Sequence, residues 1–275
     1  VYNIFFNCIR NNGRNILENP LIYEDGAYRV DFADLEAKLS DPQTSLMILC
    51  NPQNPGGVIW DRETLAKIGE LCRKYSVTVL SDEIHCDLTD PGAEYVPFAS
   101  VSEDCRMNSV TCIAPTKAFN IAGLHTAAVF SANPVLRHRM NRALNTDEVA
   151  EPNAFAVTAA VAAFTEGGAW LDELREYIAC GRRTAADFLA EKLPEVRLVK
   201  SSATYLLWLD CSDITDDSES LAEFIRHKTG LYLSAGGHYG GNGARFLRMN
   251  IACPHPVLLD GLERLRQGVY AYMLG

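Results

Sequence analysis

The sequence predicts an α/β domain followed by a smaller α+β domain. Over the first 168 residues, short β-rich runs near 46–50, 77–81, 109–114 and 126–131 alternate with helical patterns, which implies a mostly parallel sheet with flanking helices. After Gly167-Gly168 the order changes: a long amphipathic stretch, 170–193, ends before Pro194. It is followed by strand-like runs near 196–199, 204–210, 231–234 and 245–251, with helical segments at 218–228 and 256–273. The expected division is therefore 1–168 and 169–275.

The individual elements follow from local pattern. Leu46-Met-Ile-Leu-Cys, Val77-Thr-Val-Leu and Ser109-Val-Thr-Cys-Ile-Ala are short apolar runs bounded by turn residues, as buried strands are. Between the first two, Asp61–Tyr75 carries an apolar stripe of Leu65, Ile68, Leu71 and Cys72 at helical spacing. Asn133–Asn145 and Asn153–Glu166 read as further helices, and the acidic Asp210–Asp217 reads as a solvated loop.

Composition narrows the function. At 275 residues and 48% hydrophobic, the chain can bury a large core. A net charge of −10 without basic runs argues against a nucleic-acid surface. The nine cysteines are scattered without close-paired metal spacing, which fits free thiols in a reducing cytoplasm and no metal site. No stretch reaches the ~20 apolar residues that span a bilayer, and no basic-then-apolar leader opens the chain.

Three segments directly follow strand-like runs or lie at their ends: Asn51-Pro-Gln-Asn-Pro-Gly-Gly, Ser81-Asp-Glu-Ile-His-Cys-Asp, and Ala114-Pro-Thr-Lys-Ala-Phe-Asn-Ile-Ala-Gly-Leu. In an open α/β sheet ligands bind outside the carboxyl ends of the strands, so these segments are expected to open onto one crevice. Lys117, leaving a core strand in a Pro/Thr/Asn-rich turn, is either a solvated loop lysine or an amine able to condense with an aldehyde cofactor. Asp82 and Glu83 compete as the acid of the second segment, with a helix or turn cap as the alternative role for Asp82. In the run Arg245-Phe-Leu-Arg-Met-Asn-Ile-Ala-Cys-Pro, Arg245 and Arg248 would point to opposite faces of an alternating strand. Cys86, beside His85, is either a catalytic thiol or a small buried hydrophobe.

These four segments resemble the signature set of fold-type I pyridoxal-phosphate enzymes, the aspartate-aminotransferase superfamily. The wording Ser-Asp-Glu-Ile-His, Lys-x-Phe-Asn-Ile-Ala-Gly-Leu and Gly-x-His-Tyr-Gly…Phe-Leu-Arg-Met-Asn-Ile-Ala-Cys-Pro is similar to the aminotransferase-like cystathionine β-lyase and cystalysin group of C–S lyases. The resemblance implies pyridoxal 5′-phosphate as cofactor, held by Lys117, which also moves the substrate Cα proton. It implies Asp82 at the pyridine nitrogen, Asn54 and His85 near the phenolic oxygen, Tyr2 stacked on the ring and Thr116 supplying a hydroxyl at the phosphate. The Arg-x-Asn-x-Ala spacing selects Arg248 as the bidentate clamp on the substrate carboxylate. His125 and Ala114 depart from the family, in which an arginine and a serine often bind the phosphate.

The resemblance further implies a homodimer acting on an amino acid. Whole family members have a long stretch before the position of Val1, so the chain is expected to be a fragment. The implied activity is α,β-elimination from a sulfur amino acid to give a thiol, pyruvate and ammonia. An aminotransferase using the same residues is the alternative, and an inactive truncated homologue a further one.

Overall fold

The computed structural model describes residues 1–275. Its strands are β1 (Ile22–Glu24), β2 (Ala27–Arg29), β3 (Leu46–Cys50), β4 (Thr78–Asp82), β5 (Ser109–Ile113), β6 (Ala128–Phe130), β7 (Arg197–Leu198), β8 (Leu206–Asp210), β9 (Ser234–Ala235) and β10 (Phe246–Asn250). The helices are α1 (Ile4–Asn11), α2 (Phe32–Leu39), α3 (Arg62–Lys74), α4 (Glu103–Met107), α5 (Pro115–Ala118), α6 (Pro134–Thr146), α7 (Ala156–Glu166), α8 (Gly168–Lys192), α9 (Ser218–Thr229) and α10 (His255–Met273). No helix is long and apolar enough to cross a membrane.

The chain forms two compact units. One comprises Val30–Pro52 and Ile59–Arg175; the other comprises Val1–Arg29, Gln53–Val58 and Glu176–Gly275. The units thus interleave in sequence, where the expected division was a single cut at residue 168. Gly167 caps α7 and α8 starts at the next residue, so the glycine pair punctuates two helices and the units part seven residues later, within α8.

The first of these units is built on a four-stranded sheet in the order β3-β4-β5-β6. The first three strands are parallel, with Cys50, Asp82 and Cys112 level across the sheet. β6 runs antiparallel to β5, so the sheet is mostly parallel, as expected, with one antiparallel edge strand. A parallel return usually runs through a full helix packed on the sheet. Here only the four-residue α5 and a 3₁₀ turn lie between β5 and β6. α3 forms where the sequence stripe placed it. Asp61 caps it by accepting the Thr64 N–H at 2.7 Å, Leu65, Ile68 and Cys72 are buried, and Arg73 and Lys74 occupy its last turn.

The other unit holds an antiparallel sheet in the order β7-β8-β10-β9 and the two-stranded hairpin β1-β2, turned at Asp25-Gly26. β8 is buried along its whole length. α9 and α10 contribute Leu221, Ile225, Leu258, Leu262 and Leu265 to the core. Trp208, Tyr239, Phe246 and Val199 form an aromatic-rich cluster flanked by Tyr23 and Tyr28 of the hairpin. The solvated loop expected at Asp210–Asp217 starts instead with a buried carboxylate. Asp210 accepts from Tyr23 Oη at 3.0 Å, Ser212 N–H at 3.0 Å and Arg197 Nε at 3.3 Å, and Asp217 caps α9.

Candidate active site

In the sheet unit, Asp82 is the last residue of β4 and Lys117 lies in α5, immediately after β5. The parallel register puts both strand ends at one edge of the sheet, the carboxyl edge at which α/β folds bind ligands. The Asp82 carbonyl accepts the Asn51 N–H at 3.0 Å, which ties the end of β4 to the residue after β3. Its carboxylate accepts the Ile84 N–H at 3.1 Å. Burial raises the Asp82 carboxyl above its ordinary range; the Ile84 N–H opposes this, the Glu83 charge adds to it, and the Lys117 ammonium opposes it. Lys117 and Asp82 therefore lie within each other's field.

Glu83, the competing acid, is committed elsewhere. It is buried, and its carboxylate accepts from Ser81 Oγ at 2.8 Å, Tyr95 Oη at 2.6 Å and the Phe98 N–H at 3.1 Å. Both oxygens hold the 95–98 segment against the end of β4, a structural assignment consistent with the rule that buried charge is hydrogen-bonded. His85 is buried in the turn that follows, its carbonyl accepting the Leu88 N–H at 2.9 Å. Thr116 is buried beside Lys117. The Cys86 thiol is pushed up to about 12, first by burial and then by Asp87 and Glu83. It is thus a neutral thiol at neutral pH and a poor nucleophile.

The other unit carries Asn54, Arg248 and Tyr2. Asn54 is buried in a tight turn in which Gly57 N–H donates to the Gln53 carbonyl at 2.7 Å and Gln53 N–H to the Val58 carbonyl at 2.8 Å. Gly57 has φ +67°, and a Cβ there would lie 2.7 Å from both the Ala203 carbonyl oxygen and Ser201 Cβ, so the turn seats against residues 201–203 only with glycine. Arg182 braces that segment, donating to Ser201 Oγ at 2.6 Å and to the Thr204 carbonyl at 2.6 Å.

Arg248 is half-buried on β10 and donates from Nη1 to Asn54 Oδ1 at 3.2 Å. That bond sets the Asn54 amide so that its oxygen faces the arginine and its N–H groups face away. Arg245 is exposed and paired with Asp216, which removes it as a competitor. Tyr2 is partly exposed, edge-on to Phe5 at 5.8 Å. Burial raises the phenol of Tyr205, which the Arg248 charge opposes and Tyr2 reinforces, so Tyr2, Tyr205 and Arg248 are neighbours.

Of the sequence-predicted residues, Asp82, His85, Thr116 and Lys117 lie in the first unit, where Asp82 and Lys117 are coupled, and Tyr2, Asn54 and Arg248 lie in the other, where Arg248 bonds Asn54. Sequence reasoning missed Tyr205 and Tyr239 around Arg248. Tyr205 is remote from it in the chain, and the signal for Tyr239, nine residues before it, was its place in the Gly-x-His-Tyr-Gly motif. No group of three or more His, Cys, Asp or Glu side chains could hold a metal ion.

The chain resembles known proteins along nearly its whole length. The family model described as "Aminotransferase class I and II" matches residues 1–265. Cystathionine beta-lyase PatB of Bacillus subtilis (strain 168) is 47% identical over 266 residues, spanning 97% of this chain and 69% of the relative. Protein MalY of Escherichia coli (strain K12) is 31% identical over 271 residues, 98% of this chain and 69% of the relative. The crystal structure of cystalysin from Treponema denticola, which contains a pyridoxal 5′-phosphate cofactor, superposes with a TM-score of 0.93 at 33% identity, covering 98% of this chain and 69% of that one.

Proposed function

Because the chain belongs to the class I and II aminotransferase family, we propose that it is a pyridoxal-phosphate-dependent C–S β-lyase that eliminates a thiol from a sulfur amino acid. The observation that carries the lyase reading is the 47% identity, over 97% of the chain, to a protein named cystathionine beta-lyase. The donor set fits the cofactor. A half-buried carboxylate raised by desolvation would gain a compensating charge from a protonated pyridine nitrogen, and an amine stands in its field.

In this reading Lys117 would hold the cofactor through its Nζ, and the same Nζ, once free of it, would take the substrate Cα proton. Asp82 keeps the proton on the pyridine nitrogen; opposite unit charges about 4 Å apart attract by about 4 kcal/mol at an effective dielectric near 20. By the family resemblance Asn54, whose oxygen is engaged by Arg248, and His85 would each serve the cofactor's phenolic oxygen. Tyr2 packs on the ring face and Thr116 offers its hydroxyl to the phosphate. Arg248 orients the substrate through its carboxylate, a bidentate match that lysine lacks. Bound there, pyridoxal 5′-phosphate supplies an acceptor for the electron pair left at Cα. The pair left at Cα then forms the Cα=Cβ bond as Cβ–S breaks with its electrons on sulfur, a proton completes the thiol, and water hydrolyses the released unsaturated amine to pyruvate and ammonia.

The nine free cysteines support a reducing, cytoplasmic setting, and the family resemblance supports a homodimer. The test is pyruvate release from cystathionine without any keto-acid acceptor. Release supports the lyase; a strict requirement for 2-oxoglutarate replaces it with transamination, which the family description favours.

A further inference from the structure

We propose that Tyr239 is a positioning residue for the substrate carboxylate: its ring, beneath the Arg248 guanidinium, holds that fork in its binding orientation. The inference rests on the reading of Arg248 as the carboxylate clamp. The guanidinium carbon lies 4.7 Å from the Tyr239 ring centroid, within cation–π range. Arg248 Nη1 donates to Asn54 Oδ1 at 3.2 Å. Both contacts are to neutral groups, so they fix the guanidinium without neutralising it, and its positive charge is kept for an incoming anion.

The ring is itself packed on an aromatic neighbour. It is buried and meets Trp208 edge-on, with centroids 5.6 Å apart and planes at 86°. Trp208 in turn stacks on Phe246 at 5.1 Å with planes 1° apart, and its Nε1 donates to Tyr28 Oη at 3.0 Å. The 3₁₀ turn that carries the ring, Gly236–Tyr239, begins at a residue whose Cβ would collide with the carbonyl oxygens of Gly243 and Phe246. That close approach presses the turn onto the neighbourhood of β10 and leaves the tyrosine ring under the arginine. An arginine already confined by a rigid aromatic face loses less rotamer freedom when a carboxylate docks.

The test compares Tyr239→Phe, Tyr239→Leu and a series bearing phenylalanine with increasing ring fluorination at 239. Pyruvate release is measured in the full chain with cofactor, and the ¹H–¹⁵N resonances of the arginine Nε groups are measured in the cofactor-free chain. Phenylalanine should keep KM within about twofold, whereas leucine should raise it by about 3- to 30-fold with a smaller change in kcat. Stepwise fluorination drains the ring's negative face at nearly constant shape, so KM should climb with each fluorine; this series carries the test if the leucine variant does not fold. The Arg248 resonance, assigned by its loss in Arg248→Lys, should be shifted by the ring in the parent and move in Tyr239→Leu.

A flat fluorination series with an unmoved Arg248 resonance overturns the inference. If Arg248→Lys raises KM while the Tyr239 series is flat, only the role of Tyr239 fails. If Arg248→Lys leaves KM unchanged, the clamp reading fails and takes this inference with it.

Discussion

Replacing Asp82 by asparagine should stabilise the cofactor-free chain and abolish its chemistry, two effects that a merely structural residue would not show together. The asparagine oxygen can keep the 3.1 Å bond from the Ile84 N–H, so the substitution removes charge and little else. That charge is costly without cofactor: burial raises the carboxyl, Glu83 beside it adds to the shift, and the Ile84 N–H and Lys117 only oppose it. Each unit by which the folded-state pKa exceeds the unfolded one costs about 1.4 kcal/mol once both states are ionised.

The sign fixes the pH dependence. Below the ordinary carboxylate range Asp82 is protonated in both states and the variant gains nothing. As pH rises from that range through the raised folded value, the wild-type chain loses stability relative to the variant, and the gap then levels off. Thermal melts of both cofactor-free proteins across that window should show it, roughly 2–4 °C in Tm for each kcal/mol in a chain of this size. Loss of about 4 kcal/mol of attraction for the pyridine nitrogen should lower kcat/KM for pyruvate release about a thousandfold. A variant that melts lower than wild type by a pH-independent amount, or that keeps its activity, refutes the reasoning.

Two further substitutions probe the neighbours of Asp82. Glu83→Gln replaces one acceptor with a donor amide among the Ser81, Tyr95 and Phe98 donors, and should cost about 3 kcal/mol in urea unfolding; an unchanged midpoint contradicts the structural role. Cys86→Ser should change kcat/KM less than about threefold, because a thiol pushed up to about 12 is not the nucleophile; loss of activity with retained fold would restore the catalytic-thiol reading.

What the sequence made legible was local. β3 and α3 fall where their apolar patterns put them, since a run of five apolar residues and a stripe at helical spacing each have one good way to be buried. The direction of β6 was not legible, because strand alternation says nothing of the length and path of the connection before it. Asp210 was misread as solvated, since its partners Tyr23 and Arg197 come from distant parts of the chain. For the candidate site, spacing left Asp82 against Glu83 and Arg245 against Arg248. Their partners separate them: Glu83 is saturated by three donors and Arg245 is spent on Asp216. Tyr239 escaped because a ring-to-guanidinium contact between a turn and a strand leaves no periodic trace.

The central claim is that Lys117 anchors pyridoxal 5′-phosphate in this chain. Its most direct test is the visible absorption spectrum of the purified chain with the cofactor, beside a Lys117→Ala control. A band of covalently bound cofactor that survives dialysis and is absent from the control is the predicted result. No retained band in either protein, or an equal band in both, would contradict it.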